Sequence, residues 1–236
     1  MFGSYFNGLV KLVDKTNTGC KIGVLCTAIF LYADDIILIA PSVQVLQSLI
    51  RLCEVELNFT CMTVNAKKSA FLRFGPKYNN ACSSVMVCGL PVNWVTSVRY
   101  LGVYLESSST FKCSFESNKA KFYKAFNCIF GKIGRVVSEE VIFALVKSKC
   151  MPILLYGTEA CPVNSAIRHS LQFALKSALL KIFGALSKDT YQDIREYFGI
   201  WTVEEQISAR KRTFNLRHCA SESAVCQTIS KLRQLR

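Results

Sequence analysis

Hydrophobic positions change rhythm along this chain, from helical spacing to unbroken apolar runs and back again. From Tyr5 to Val13, the apolar residues Phe6, Leu9, Val10 and Val13 recur at i, i+3, i+4 and i+7, which predicts a short amphipathic helix. Asp14-Lys15-Thr16-Asn17-Thr18-Gly19 breaks it. Two dense apolar runs follow, Ala28-Ile29-Phe30-Leu31-Tyr32 and Ile36-Ile37-Leu38-Ile39, separated only by Ala33-Asp34-Asp35. That pattern predicts a buried hairpin whose charged turn projects both acids. Ser42 after Pro41 is suited to capping a helix, and Val43, Leu46, Ile50, Cys53 and Leu57 then recur at spacings of three and four, predicting about four helical turns over one sheet face.

Strand-like segments continue at Ala70 to Phe74, Val85 to Cys88 and Ser97 to Leu105, divided by Gly75-Pro76-Lys77-Tyr78-Asn79-Asn80 and Gly89-Leu90-Pro91. The polar connector Glu106-Ser107-Ser108-Ser109-Thr110 then gives way to helical periodicity. Helices are expected at Ser114 to Gly134, Ser138 to Lys149, Ser165 to Phe183, Thr190 to Phe198 and Val203 to His218. The expected class is α+β: an antiparallel sheet with a packed helix over residues 1–106, an all-helical region over 107–190, and a helical extension with a basic tail over 191–236. No solenoid-period repeat and no long low-complexity tract is present.

Composition narrows the partners. A chain of 236 residues with 51% hydrophobic content can bury one large core or two smaller ones. The 29 Lys and Arg against 16 Asp and Glu leave a formal charge of +13, which favours a polyanion through phosphate neutralisation and counterion release, with an anionic membrane surface as the competing partner. The 12 Cys include no Cys-x-x-Cys pair, so reduced thiols in an intracellular compartment are expected, nucleus or cytoplasm left open. Ile22 to Ala40 is apolar, but its two adjacent carboxylates would each cost roughly 2.5–3.5 kcal/mol at a bilayer centre. A membrane span is therefore not expected. Met1-Phe2-Gly3-Ser4-Tyr5-Phe6 lacks the basic flank of a signal peptide and opens on core-like sequence, as a truncated chain would.

The acidic turn carries the most specific chemistry. Phosphoryl transfer to a 3′ hydroxyl uses two divalent ions, and adjacent carboxylates on a rigid hairpin can hold them. Asp34 and Asp35 offer such a pair. Burying them between strands this apolar would be costly without cations or hydrogen bonds, which argues against incidental placement. The competing reading is an ordinary exposed hairpin tip.

Leu31-Tyr32-Ala33-Asp34-Asp35-Ile36-Ile37-Leu38-Ile39-Ala40-Pro41-Ser42 resembles the Tyr/Phe-Ala-Asp-Asp motif of non-LTR retrotransposon reverse transcriptases. Further resemblances follow in order: Cys53-Glu54, Asn65-Ala66-Lys67-Lys68-Ser69, Tyr100-Leu101-Gly102-Val103 and Leu154-Leu155-Tyr156-Gly157. The motifs run from Leu31 to Gly157, and the resemblance around them covers Phe2 to Phe214, strongest between Leu31 and Gly102. The resemblance implies a partial polymerase palm followed by a thumb-like region, acting in two-metal nucleotidyl transfer with Mg²⁺, an RNA template, a DNA primer and deoxynucleoside triphosphates.

It further implies that Asp34 is the stronger metal ligand and Asp35 tunes the site, that Tyr32 packs near the primer end, and that Lys67 or Lys68 protonates the departing pyrophosphate. Arg99-Tyr100-Leu101-Gly102 would form a primer grip on a tight hairpin. The family's third metal-binding Asp and its fingers lie upstream of the matching segment, so this chain by itself is expected to be inactive. A catalytically dead element remnant that still binds RNA or DNA is the alternative. Solvated basic residues at Lys67 and Lys68 and an ordinary glycine-containing strand at Arg99 to Gly102 are the plain readings of the same residues.

In the helix after Ser114, Phe122, Phe126, Ile129 and Ile133 form an apolar stripe while Lys121, Lys124, Lys132 and Arg135 share another flank. That flank either tracks a nucleic-acid backbone or is simply solvated. Arg210-Lys211-Arg212, Arg217, Lys231, Arg233 and Arg236 bind RNA, direct import or form a solvated terminus. His218, Cys219 and Cys226 lack the second pair that a zinc knuckle needs. His169 reads as a helix-surface residue, and two widely separated His offer no catalytic triad.

Overall fold

The computed structural model describes residues 2–16, 18–23, 25–134, 136–184 and 188–234. They form a mixed α+β chain with small antiparallel sheets and many helices. Two compact units emerge. The first gathers the chain up to Arg73, Asn79–Thr96 and the segment from His218 onward; the second gathers Phe74–Tyr78 and Ser97–Arg217.

In the first unit, helix α1 (Phe2–Thr16) precedes the short pair β1 (Lys21–Ile22) and β2 (Leu25–Cys26), then β3 (Ile29–Tyr32) and β4 (Asp35–Leu38). The last two pair antiparallel with Ile29 opposite Leu38 and Tyr32 opposite Asp35. Helix α2 (Val43–Phe59) begins where Ser42 accepts the Val45 amide, 3.3 Å away, as its N-cap. Leu49 and Cys53 of α2 join Leu9, Val13, Ala28 and Ile29 in one apolar cluster, while Ile50 meets Val85 and Val87 in another. Thus α2 is sandwiched between the β3–β4 hairpin and the hairpin of β5 (Val85–Val87) with β6 (Leu90–Val92). The Gln47 amide extends the β5 edge: it accepts from the Met86 N–H at 2.8 Å and donates to its carbonyl at 2.9 Å. Helix α9 (Ala224–Gln234) ends the described chain.

Two expectations fail here. Ala70 to Phe74 is not a strand, because Phe71 bridges Trp94 whereas Phe74 bridges Ser108, and no single partner runs alongside both. Nor is the β3–β4 hairpin buried on both faces. Ile29, Leu31, Ile36 and Leu38 pack on the core, but Phe30, Tyr32, Asp35 and Ile37 point the other way, and among the described residues no third strand pairs with these two. A period of two applies, so the continuous apolar run hid a one-sided sheet.

The second unit opens with β7 (Ser97–Tyr100), β8 (Val103–Glu106) and β9 (Lys112–Ser114), an antiparallel meander with β8 central. The segment Ser97 to Leu105 is therefore a hairpin rather than one strand, turning at Leu101 (φ 44°) and Gly102 (φ 85°). Helix α3 (Glu116–Ile133) follows, burying Asn118, Phe122 and Phe126. Helix α4 (Glu139–Leu145) runs through a wider π turn at Val146–Cys150 into α5 (Met151–Leu154). Pro152 lacks an N–H and its ring crowds the carbonyl four residues back, which the wider turn accommodates. Helices α6 (Ser165–Phe183), α7 (Lys188–Tyr197) and α8 (Val203–Cys219) complete the layer, with Leu171, Leu175, Leu179, Val203 and Ile207 in the shared core.

A hydrogen-bonded interlock joins meander and helices beside the packing of Val103, Leu105 and Cys113 on the helical core. The Tyr156 hydroxyl donates to the Leu101 carbonyl at 2.8 Å, and the Tyr156 carbonyl accepts from the buried Asn118 side chain at 2.8 Å. A Cβ on Gly102 would lie 3.0 Å from the Tyr156 ring, and one on Gly157 (φ 80°) would lie 2.7 Å from Val103 Cγ2. Both glycines are thus required by space as well as by backbone conformation.

Gly157→Ala should cost about 2 kcal/mol or more, from left-handed strain plus the clash with Val103, lowering Tm by about 2–4 °C per kcal/mol for a chain of this size. Adding Val103→Ala should restore part of that loss; strictly additive penalties would discard the interlock. Tyr156→Phe should cost a smaller amount, about 0.5–1 kcal/mol, since water can solvate the exposed Leu101 carbonyl.

Candidate functional site

Tyr32-Ala33-Asp34-Asp35 is a two-residue β-turn with Ala33 at φ 50°. An alanine held there costs about 1–2 kcal/mol relative to right-handed backbone, a local strain at the tip that carries the acids. Asp34 occupies the second turn position and Asp35 opens β4, both exposed. Since Tyr32 and Asp35 are directly opposed, their side chains share the outward face of the hairpin, and Tyr32 is 60% exposed. Neither carboxylate has a hydrogen-bond or ion-pair partner among the described residues.

Because the acids are solvated at the hairpin tip, the cost of burial lends no weight to a metal there. What remains is geometry: two adjacent carboxylates, unpaired among the described residues, on a turn fixed by a cross-strand ladder. No group of three His, Cys, Asp or Glu able to hold a metal occurs among the described residues. Mg²⁺ keeps several waters and is often held by one or two carboxylates together with substrate phosphates, so the donor set fits a partial site.

Lys67 and Lys68 are exposed on a turn organised by Asn65, whose side-chain oxygen accepts their amides at 3.1 and 3.2 Å. The Asn65 carbonyl also accepts the Ser69 hydroxyl at 3.0 Å. Asn65 therefore shapes the turn while both ammonium groups stay unpaired among the described residues. Cys53-Glu54 divides its labour similarly. Cys53 is buried, and burial followed by the Glu54 charge raises its thiol to about 11, while Glu54 accepts the Cys88 amide at the positive-φ turn of β5–β6.

In the second unit, Arg99 is exposed on β7 opposite Tyr104, and Leu101 and Gly102 form the turn that Tyr156 pins. Lys121, Lys124 and Lys132 are exposed on α3 and unpaired among the described residues. At about 100° per residue, Lys121 and Lys132 lie within about 20° of each other around the helix, with Lys124 about 60° away. Arg135 and Arg236 lie outside the described residues. The Phe122 and Phe126 stripe is buried, and Ile129 packs on the same core.

Other basic residues are divided in use. Arg210 sits 3.7 Å from Glu159, Lys211 is half-buried, and Arg212 and Arg217 are exposed. His169 is exposed on α6, and His218 Nδ1 is 3.3 Å from the Ser230 hydroxyl. Tyr156, Gly157 and Asn118 support the Leu101-Gly102 turn, a role their sequence did not announce. The one signal for it was the positive-φ demand hidden in Tyr156-Gly157, which a single sequence does not display. Among the described residues, no helix is long and apolar enough to cross a membrane. Compared with protein-family models, with curated proteins and with solved structures, the chain returns no match.

Proposed function

We propose that this chain is the partial palm and thumb of a non-LTR retrotransposon RNA-directed DNA polymerase, with Asp34 and Asp35 as two of its metal-binding carboxylates. The observation that carries the reading is the Tyr32-Ala33-Asp34-Asp35 turn: two adjacent, solvated, unpartnered acids on a strained two-residue hairpin, with Tyr32 on the same outward face as Asp35. Mg²⁺, when bound, would supply charge neutralisation for the reacting phosphates and a lowered pKa for the attacking hydroxyl. Asp34 and Asp35 would hold it, Tyr32 would flank the primer end, and Lys67 or Lys68 would present an ammonium proton to the leaving group. The Leu101-Gly102 turn, held by Tyr156, would offer backbone to the primer strand, with Arg99 exposed on the adjoining strand. Lys121, Lys124 and Lys132 would neutralise backbone phosphates from one flank of α3.

A binding remnant without catalysis is the second reading, favoured by Lys121, Lys124 and Lys132, exposed on α3 and unpaired among the described residues, which need no metal to meet a phosphate backbone. Both readings share a polyanionic partner, in keeping with the +13 charge.

Two measurements separate them. The chain should bind an RNA–DNA hybrid with an affinity that falls steeply with salt, and the triple variant Lys121→Ala, Lys124→Ala, Lys132→Ala should flatten the log–log salt slope by about 0.9 for each phosphate no longer neutralised. An unchanged slope would remove α3 from the interface, and no binding at low salt would remove both readings. Titration with Mn²⁺ should broaden the amide NMR signals of Ala33, Asp34 and Asp35 before others, and Asp34→Asn with Asp35→Asn should erase that effect without shifting Tm. Broadening that ignores these substitutions would leave only the binding remnant.

A further inference from the structure

Phe74 and Phe111 form an exposed aromatic pair in the second unit, their ring centroids 5.3 Å apart and their planes inclined at 56°. Phe74 is 43% exposed and Phe111 51%, although each ring already covers part of the other. Backbone contacts anchor the pair: Phe74 bridges Ser108, the Gly75 N–H donates to the Ser108 carbonyl at 3.0 Å, and Phe111 leads directly into β9. The rings thus belong to the end of the meander where Ser97, Glu106 and Lys112 lie abreast, about 10 Å along β8 from the Leu101-Gly102 turn.

Val103, Leu105 and Cys113 pack on the helical core, so strand alternation turns Arg99, Tyr104, Glu106 and Lys112 to the opposite face. The acid on that face, Glu106, is held by Lys112 at 2.8 Å. Arg99 and, three residues after Phe74, Lys77 are exposed and unpaired among the described residues. An apolar protein surface would suit the rings alone, but the uncommitted cations favour a polyanion. In a duplex every base is already stacked on its neighbours, so open aromatic rings meet bases only where a strand is unpaired.

We propose that Phe74 and Phe111 are a stacking site for an unpaired base of a single-stranded polynucleotide, whose backbone Lys77 and Arg99 neutralise. The site deepens the proposed function and rests on its polyanionic partner. Every base has a π-face, so the site takes any base, and it adds affinity that phosphate neutralisation does not supply.

Binding of labelled oligothymidine and of a blunt RNA–DNA hybrid should be measured by anisotropy over a range of salt concentrations. Phe111→Ala should weaken oligothymidine binding about 5- to 150-fold, the range for one stacked base, with the salt slope unchanged because no phosphate contact is lost. Phe111→Leu, which keeps apolar volume without a π-face, should lose most of the same affinity. Both variants should keep the parent's circular dichroism and hybrid affinity. Unchanged oligothymidine affinity in both variants, or an equal loss on the hybrid, would overturn the proposal. Hybrid binding without oligothymidine binding would also overturn it and leave the proposed function standing, whereas binding of neither would end both.

Discussion

The Tyr156–Leu101 hydrogen bond, with the two close glycine approaches beside it, is the constraint from which the second unit takes its form. A meander of two four-residue strands and one three-residue strand has too little apolar area to stand alone. Its orientation is borrowed from the helices, through a phenol that reaches the turn carbonyl and through a backbone approach that only glycine permits. Leu101 keeps φ at 44°, an unfavourable value for a branched side chain, and Tyr156 secures the carbonyl of that same residue. Asn118, buried on α3, then fixes the Tyr156 backbone from the other side. Hairpin, α5 and α3 thus meet at one aromatic residue, beside the apolar packing of Val103, Leu105 and Cys113 on the helical core.

Long periodic segments were legible from the sequence; their tertiary joints were not. The α2 stripe, with its Ser42 cap, and the helices α3 and α6 follow from spacing alone, because burial of one face dictates a 3.6-residue rhythm. Strands fared less well. Ile29 to Tyr32 and Asp35 to Leu38 read as buried on both faces, since Phe30, Tyr32 and Ile37 are as apolar as the residues facing the core, and composition cannot tell a one-sided sheet from a two-sided one. From its apolar pattern Ser97 to Leu105 read as one strand, because Leu101 gives no hint of positive φ; only the family resemblance pointed to a tight hairpin at Arg99 to Gly102. The short β9 was hidden by three residues of ordinary polarity, and the π turn by the absence of any local rule beyond Pro152.

Several residues that carry the family resemblance turn out to have local structural duties. Glu54 ties α2 to the β5–β6 turn, Asn65 builds the turn under Lys67 and Lys68, and Tyr156 and Gly157 hold the Leu101-Gly102 hairpin. Such duties account for these residue types by the joints they make. They do not by themselves argue for shared chemistry.

Under the proposed reading, chemistry falls to residues without such duties. Asp34, Asp35, Arg99, Lys121, Lys124 and Lys132 are exposed and, among the described residues, unpaired, so removing their charges should leave the core clusters untouched. Exposed charge is common and needs no explanation by itself. The acidic turn differs in one respect: its two acids are adjacent and both exposed at a hairpin tip. The positive φ at Ala33 is what a two-residue hairpin turn needs to match the twist of its strands, and Cys88 and Leu101 adopt it at hairpin turns that carry no acid. The strain at Ala33 therefore belongs with how the hairpin folds, and the presentation of Asp34 and Asp35 follows from that fold.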